Sequence, residues 1–444
     1  MLTFLLIIYC LLFIFLALKN FKWTLYLVIF TLPAYLIRFN IFGLPLTLLE
    51  IEIVLLCIVF LIKNYNKLKI TNYSLLFYST TLFVIAATIS VFVSPNPYAA
   101  AGTWKAYFIE PILFCLVFIK TIKKEDLKNI IYILSAQVFL LSIFAIYQKF
   151  TGAFITNPFW ATAATRRVTS VFPYPNALAL YLAPLLTLFL GYFIFEIKNS
   201  KLFQNSKLKI QNYLPVCYQI LIIISGTLAI YFTKSKGALF GLLFGIIFYA
   251  IFYKPYRKYF IALLGIVALL SFYLIGAHKI NLSGTSTVSG GDSISVRTAM
   301  WSETWEMLKQ QPWLGAGLAG YQSAVAPFHK KSYIEIYLYP HNIILNFWSE
   351  IGLLGLSAFI AIIVWFYKTG FFCHPRLDLE SRKPAPVHQA DIKIIFLSAM
   401  TALLIHGLVD APYFKNDLAI LFWLIIGLLI VSPTNIKNYS NHNS

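Results

Sequence analysis

Long apolar runs recur along the whole chain, and the short stretches between them carry most of the charge. The runs are about 16 to 24 residues long, and a helix needs roughly 20 to cross the hydrocarbon core of a bilayer. The pattern predicts spans near 2–18, 23–37, 44–62, 73–93, 102–119, 129–148, 176–196, 214–233, 237–253, 259–277, 342–367, 393–411 and 417–432. The expected fold is therefore an all-α polytopic membrane protein of about 12–13 transmembrane helices, a single integral membrane domain over 1–444. Two polar interruptions stand out, 151–175 and 278–340, the second being the longest hydrophilic stretch. A third, 368–392, is rich in basic residues.

Composition agrees with the pattern. Hydrophobic residues make up 60% of the chain and charged residues 11%, where a soluble domain carries roughly 25% charged; mean hydropathy is +0.77. No basic segment precedes the first apolar run, so a cleaved signal peptide is not expected. The five cysteines form no close pair, which argues against disulfides and metal sites. A formal net charge of +19 would suit nucleic acid. The basic residues instead sit in short loops between spans, so lipid surfaces are the expected partner and nucleic acid is not.

Basic residues at Lys19/Lys22, Lys63–Lys69, Lys120–Lys128, Lys198–Lys209, Lys254–Lys258, Lys368–Lys393 and Lys437 all fall on one face, about 22 of the 35. The positive-inside rule makes that face cytoplasmic, with 368–392 inside and 278–340 outside. Arg166 and Arg167 in the first outer loop and Arg297 in the second run against that rule. Guanidinium forks match phosphate oxygens, so these three are candidate phosphate ligands. Other outer lysines are as readily explained by snorkelling.

The 342–367 span opens Pro340-His341-Asn342 at the end of the longest polar stretch. At 100° per residue, His341, Leu345, Trp348, Gly352 and Gly355 share a stripe, and the glycines admit a close neighbour beneath the histidine. Glu350 falls about 180° away and needs a partner of its own. His406 and Asp410, four apart, fall on one helix face, where they form a local pair or Asp410 serves an arginine or histidine of the site. Glu50 and Glu52 point about 200° apart and have separate roles. Trp301, Trp305 and Leu308 repeat at helical spacing and are expected to press onto the membrane domain. Asn176 is a candidate N-cap. His329 reads as a solvated loop histidine, and Gly315/Gly317 as a helix stop rather than a phosphate loop. No Asp-x-Asp, HExxH or His/Cys cluster occurs, so neither a metal nor another cofactor is expected.

His341-Asn342-x9-Gly352-x2-Gly355 resembles the signature of the O-antigen ligase and polymerase superfamily of bacterial envelope glycosyltransferases. Similar stretches are Arg167 through Pro175-Asn176-Ala177-Leu178-Ala179, Arg297-x3-Trp301 through Pro312-x-Leu314-Gly315-x-Gly317, and His406-x3-Asp410. Where the superfamily often has Ser-Arg-Gly-Ala, this chain has Ser235-Lys236-Gly237-Ala238, which keeps the charge but loses the fork. The resemblance, which extends from about Leu44 to Leu429, implies a GT-C-like architecture in the bacterial inner membrane with an outward-facing site. It implies a glycan on a polyprenyl diphosphate as donor and a glycan or lipid-linked sugar hydroxyl as acceptor. It further implies His341 as catalytic base, Arg167, Arg297, Lys236 and Arg166 as diphosphate ligands, and Asn342, Glu350, Gly352, Gly355, His406 and Asp410 as support. Ligase, polymerase and protein O-oligosaccharyltransferase share these motifs. A transporter or flippase of polyprenyl-linked glycans is the competing class, though no internal repeat supports it. A non-catalytic membrane scaffold is a further alternative, which the His341 constellation disfavours.

Overall fold

The computed structural model describes residues 2–41, 43–64, 74–199, 214–253, 257–258, 293–330, 335–372 and 388–432. The expected span at 259–277 and most of the 368–392 loop lie outside them. An all-α polytopic membrane fold results. Six helices among the described residues are long and apolar enough to cross a bilayer, and five shorter apolar helices accompany them.

The chain begins with α1 (Leu2–Lys19) and α2 (Phe21–Phe30). A small antiparallel hairpin follows, β1 (Arg38–Ile41) with β2 (Leu44–Thr47), pairing Arg38 with Thr47. The predicted span at 44–62 therefore starts as a strand and becomes helical only at α3 (Leu48–Asn64). Pro45 explains the boundary, since it lacks the N–H that a helix interior would use. Glu50 and Glu52 take separate partners. Glu52 accepts hydrogen bonds from Tyr9 and Thr31, and Glu50 one from the Thr47 amide (2.8 Å).

Next come α4 (Ser74–Val93), α5 (Pro97–Trp104), a π-turn at Lys105–Ile109, α6 (Glu110–Thr121) and α7 (Leu127–Thr151). The 152–174 loop holds only α8 (Pro158–Ala161), before α9 (Pro175–Asn199), α10 (Leu214–Thr233) and α11 (Lys236–Phe252). In the long polar segment α12 (Ser293–Gln310) and α13 (Tyr321–Val325) fold over the start of α14 (Ile343–Phe372). Trp301 donates to the Pro340 carbonyl (2.9 Å), and Trp305 meets Trp348 edge to face at 5.7 Å. The tryptophan stripe thus fixes the polar segment to the start of α14.

The chain closes with α15 (His388–Gly407) and α16 (Asn416–Val431). Nearly every residue of α16 is buried, as expected of a helix that is apolar all round. α11 packs along α15 through Gly237, Gly241 and Gly245. A Cβ at Gly241 would sit 2.6 Å from the Ala402 carbonyl, so this approach needs glycine.

α14 is not continuous. Ile351 and Gly352 leave helical geometry, Gly352 with φ 70° and ψ −178°. Residues of the polar segment satisfy the polar groups at the break: Leu353 N donates to Trp313 O (3.1 Å), Ala316 N to Ser349 O (2.6 Å) and the Trp348 indole to Pro312 O (2.7 Å). Irregular backbone at membrane depth is tolerated when other protein groups pair with it in this way. A Cβ on Gly352 would collide with the Trp313 carbonyl. The close neighbour of Gly352 is thus the 312–316 turn and not a helix beneath the histidine, while a Cβ on Gly355 would meet Ile351 of its own helix. Glu350 finds its partner in the same segment, accepting from the Ala319 amide at 2.7 Å.

Candidate active site

His341 stands two residues ahead of the helix that was expected to carry it, which begins at Ile343. Its φ of 49° is left-handed, an uncommon state for a residue with a Cβ. Asn342 makes the turn possible by capping α14: its Oδ1 accepts from Ile344 N (3.0 Å) and Leu345 N (3.1 Å). Such a cap stabilises a helix by about 1 kcal/mol. The Asn342 amide also donates to Leu408 O (3.0 Å), tying the α14 start to the loop after α15. Because His341 precedes the helix and Gly352 breaks it, the single stripe drawn on a helical wheel does not form.

That loop carries Asp410. α15 ends at Gly407, so His406 and Asp410 do not share a helix face and are not hydrogen-bonded to each other. Asp410 Oδ1 lies 2.9 Å from His341 Nδ1 and also accepts from the Ala411 amide. Its Oδ2 accepts from Asn176 Nδ2 at 3.3 Å. Burial pushes the Asp410 carboxyl up, but the hydrogen bond and charge of His341 outweigh it and hold the group below the usual carboxylate range. An ionised carboxylate at Nδ1 requires Nδ1–H, so in the neutral form of the ring Nε2 is the lone-pair acceptor. The His341 side chain keeps 27% of its surface exposed, and its ring meets Tyr337 edge to face at 5.4 Å.

Asn176 joins this pair to a guanidinium. Pro175, not Asn176, opens α9, which places Asn176 inside the first turn instead of at the cap. Its Oδ1 accepts from Arg167 Nη2 (3.0 Å), and Arg167 Nε donates to Thr233 O at the end of α10 (2.7 Å). The chain Arg167–Asn176–Asp410–His341 therefore links four separate segments. Arg297 arrives from α12, its Nε on the Val409 carbonyl (2.7 Å). Burial, with the positive charge of Arg297, lowers the Arg167 pKa, so the two guanidiniums feel each other.

The remaining candidates divide. Lys236 is exposed at the first turn of α11, and Gly237 beside it packs on His406 and Val409. His406 is buried under these glycines, with neither ring nitrogen hydrogen-bonded. Arg166 faces elsewhere: its guanidinium donates to the Ala161, Lys149 and Phe150 carbonyls (2.9, 3.0 and 3.2 Å), closing the C-terminus of α7. Gly352, Gly355 and Glu350 shape the break in α14 beneath the histidine.

Two residues escaped sequence reasoning. Asn176 was read as a cap within a stretch that resembles the superfamily and was given no role in the site, although an amide can bridge a donor and an acceptor at once. Lys415 was seen only as one more outer lysine. Its Nζ is shut off from solvent 3.9 Å from the centre of the Tyr174 ring. Burial lowers its pKa to about 8, against the pull of Asp417 and Asp410. The block of Phe347, Tyr413, Phe414 and Phe422 supports the loop from below, and Tyr413 is anchored to the Tyr107 carbonyl (2.8 Å).

Residues 220–360 match a family model described as O-antigen ligase. The match takes in Lys236, Arg297, His341, Asn342, Glu350, Gly352 and Gly355, and leaves Arg167, Asn176, His406 and Asp410 outside it. It bears out the resemblance to the O-antigen ligase and polymerase superfamily. No curated protein matches the chain.

Proposed function

We propose that this protein is a membrane glycosyltransferase that moves a glycan from a polyprenyl diphosphate to a sugar hydroxyl at the outer face of the bacterial inner membrane. The observation that carries this reading is the hydrogen-bonded line from His341 through Asp410 and Asn176 to Arg167, with Arg297 bonded one residue away at Val409. It joins a base to a cationic cluster, the two things this reaction needs.

His341 Nε2 takes the proton of the acceptor hydroxyl as its oxygen attacks the anomeric carbon. The bond from that carbon to the diphosphate breaks, and the diphosphate leaves with the electron pair. Asp410 keeps the imidazole in the Nδ1–H tautomer and stabilises the imidazolium that forms. Arg167 and Arg297, with Lys236 at the exposed edge, meet the charge that develops on the leaving diphosphate. Fixed guanidiniums supply that stabilisation without a metal. The O-antigen ligase match favours a lipid-linked glycan as acceptor; a growing polysaccharide or a protein hydroxyl would use the same chemistry.

The test is reconstitution of the purified protein with polyprenyl-diphosphate-linked glycan and three acceptors: a lipid-linked core sugar, a second donor-linked glycan and a hydroxyl-bearing peptide. Transfer to the lipid-linked sugar, undiminished by EDTA, is expected. Absence of transfer to all three, or loss with EDTA and recovery with magnesium, contradicts the reading.

A further inference from the structure

A cavity of about 440 Å³ opens between the β1–β2 hairpin and the α5–π-turn segment, away from the histidine. Its volume lies in the range of small-ligand sites. It shares the outer end of the protein with the active site, because Asn416 at its floor follows Asp410 by six residues. That much chain spans at most about 22 Å. Tyr107, which also lines the cavity, is held by Tyr413 of the same loop.

The lining is polar and balanced. Glu50 Oε2 accepts from Thr47 N (2.8 Å) and lies 3.3 Å from Lys105 Nζ, while Glu50 Oε1 accepts from Asn416 Nδ2 (3.3 Å). Lys105 is also 4.0 Å from Glu110. The buried carboxylate and the lysine thus offset each other. Arg38, exposed on the hairpin, adds a planar donor fork, and Thr103 adds a hydroxyl. Both donors and acceptors line one space, and Phe39 and Tyr107 belong to the same lining. A simple anion would meet the Glu50 carboxylate, and an apolar chain would strand the polar groups. Sugar hydroxyls donate and accept at once, and sugar C–H faces suit aromatic rings.

We infer that this cleft is a saccharide subsite, holding a sugar unit of the glycan chain at a distance from the bond being made. The inference rests on the glycosyltransferase reading for its role in transfer, but binding itself can be measured without transfer. Gly102 lines the cleft, and a Cβ built there meets nothing within 4 Å, so the first atom of a side chain at this position has room and Gly102→Trp sets an indole at the cleft wall.

The probe is the oligosaccharide released by mild acid from the polyprenyl-linked glycan of the source cells, titrated calorimetrically into the full-length protein in detergent. Wild type and His341→Ala should bind it equally, while Gly102→Trp and Arg38→Ala should bind at least about tenfold more weakly. In transfer assays both cleft variants should raise one KM with kcat kept. A rise for donor assigns the bound chain to the donor, and a rise for acceptor assigns it to the acceptor. No binding by wild type, equal binding by Gly102→Trp, displacement by equimolar inorganic phosphate, or an unchanged KM for both substrates would overturn the subsite. Loss of transfer in His341→Ala with binding intact separates this inference from the reading it rests on.

Discussion

Two histidine–carboxylate pairs in this protein have almost the same local geometry. His341 Nδ1 sits 2.9 Å from Asp410, and His329 Nδ1 sits 3.1 Å from Glu303. They differ in where the second carboxylate oxygen goes. In the 293–330 segment, Glu303 Oε1 accepts from the backbone amide of Lys330, the residue next to the histidine. At the membrane mouth, Asp410 Oδ2 reaches across to Asn176 and so to Arg167. His329 therefore pins a loop to α12, whereas His341 is joined through Asp410 and Asn176 to the guanidinium of Arg167. The difference teaches that a short His–carboxylate contact is no mark of chemistry until its onward connections are followed.

The largest effect should separate the two carboxylates. Asp410→Asn keeps the shape but removes the negative charge and turns one of two acceptor oxygens into a donor, so the His341 tautomer is no longer fixed and turnover should fall by about 10²–10⁴. Glu303→Gln should leave turnover alone and lower stability by roughly 1–3 kcal/mol, read from unfolding in detergent. Equal turnover losses in both variants would erase the distinction.

The adjacent arginines extend the comparison. Arg167→Ala and Arg297→Ala should each cost about ten- to hundred-fold in donor handling, one charge-assisted contact apiece. Lysine at either position should recover only part, since the fork is lost. Arg166→Ala should instead lower stability with donor kinetics unchanged, because its donors serve carbonyls. Donor kinetics that respond to Arg166 but not Arg167 would reverse the assignment.

A smaller effect belongs to Lys415. Its folded pKa of about 8 lies below the ordinary 10.5, so between those values the unfolded chain binds more protons. Stability should therefore rise with pH across that window, and the contribution is lost as pH falls through 8. Melting temperatures of wild type and Lys415→Met, followed from pH 7 to 10.5, should converge at the alkaline end. Parallel curves would contradict the buried, charged lysine. Orientation is a yes-or-no matter. An impermeant thiol reagent on intact cells should label Ser323→Cys and not Ser381→Cys, and the opposite pattern would invert the topology.

Much of this was legible in the chain. Hydropathy fixed the membrane class, and charge against the positive-inside rule singled out Arg167 and Arg297. Arg166 was not separable from Arg167, because successive residues in irregular chain point different ways and only tertiary structure decides which faces the site. The helical wheel failed at both ends of its stripe for one reason: it assumes continuous helix, and neither the left-handed turn at His341 nor the break at Gly352 is local. Their partners, Asp410 and the Trp313 carbonyl, lie 69 and 39 residues away in sequence. His406–Asp410 was misplaced because α15 stops at Gly407, three residues short of the aspartate. The Gly237-x3-Gly241-x3-Gly245 repeat was in plain sight and names the tight α11–α15 contact over His406.

The most direct measurement is single-turnover transfer by His341→Ala and His329→Ala, with purified polyprenyl-diphosphate donor and acceptor, alongside donor binding. The account predicts that His341→Ala loses about 10²–10⁴ in rate while still binding donor, and that His329→Ala transfers like wild type. A wild-type rate in His341→Ala would contradict it.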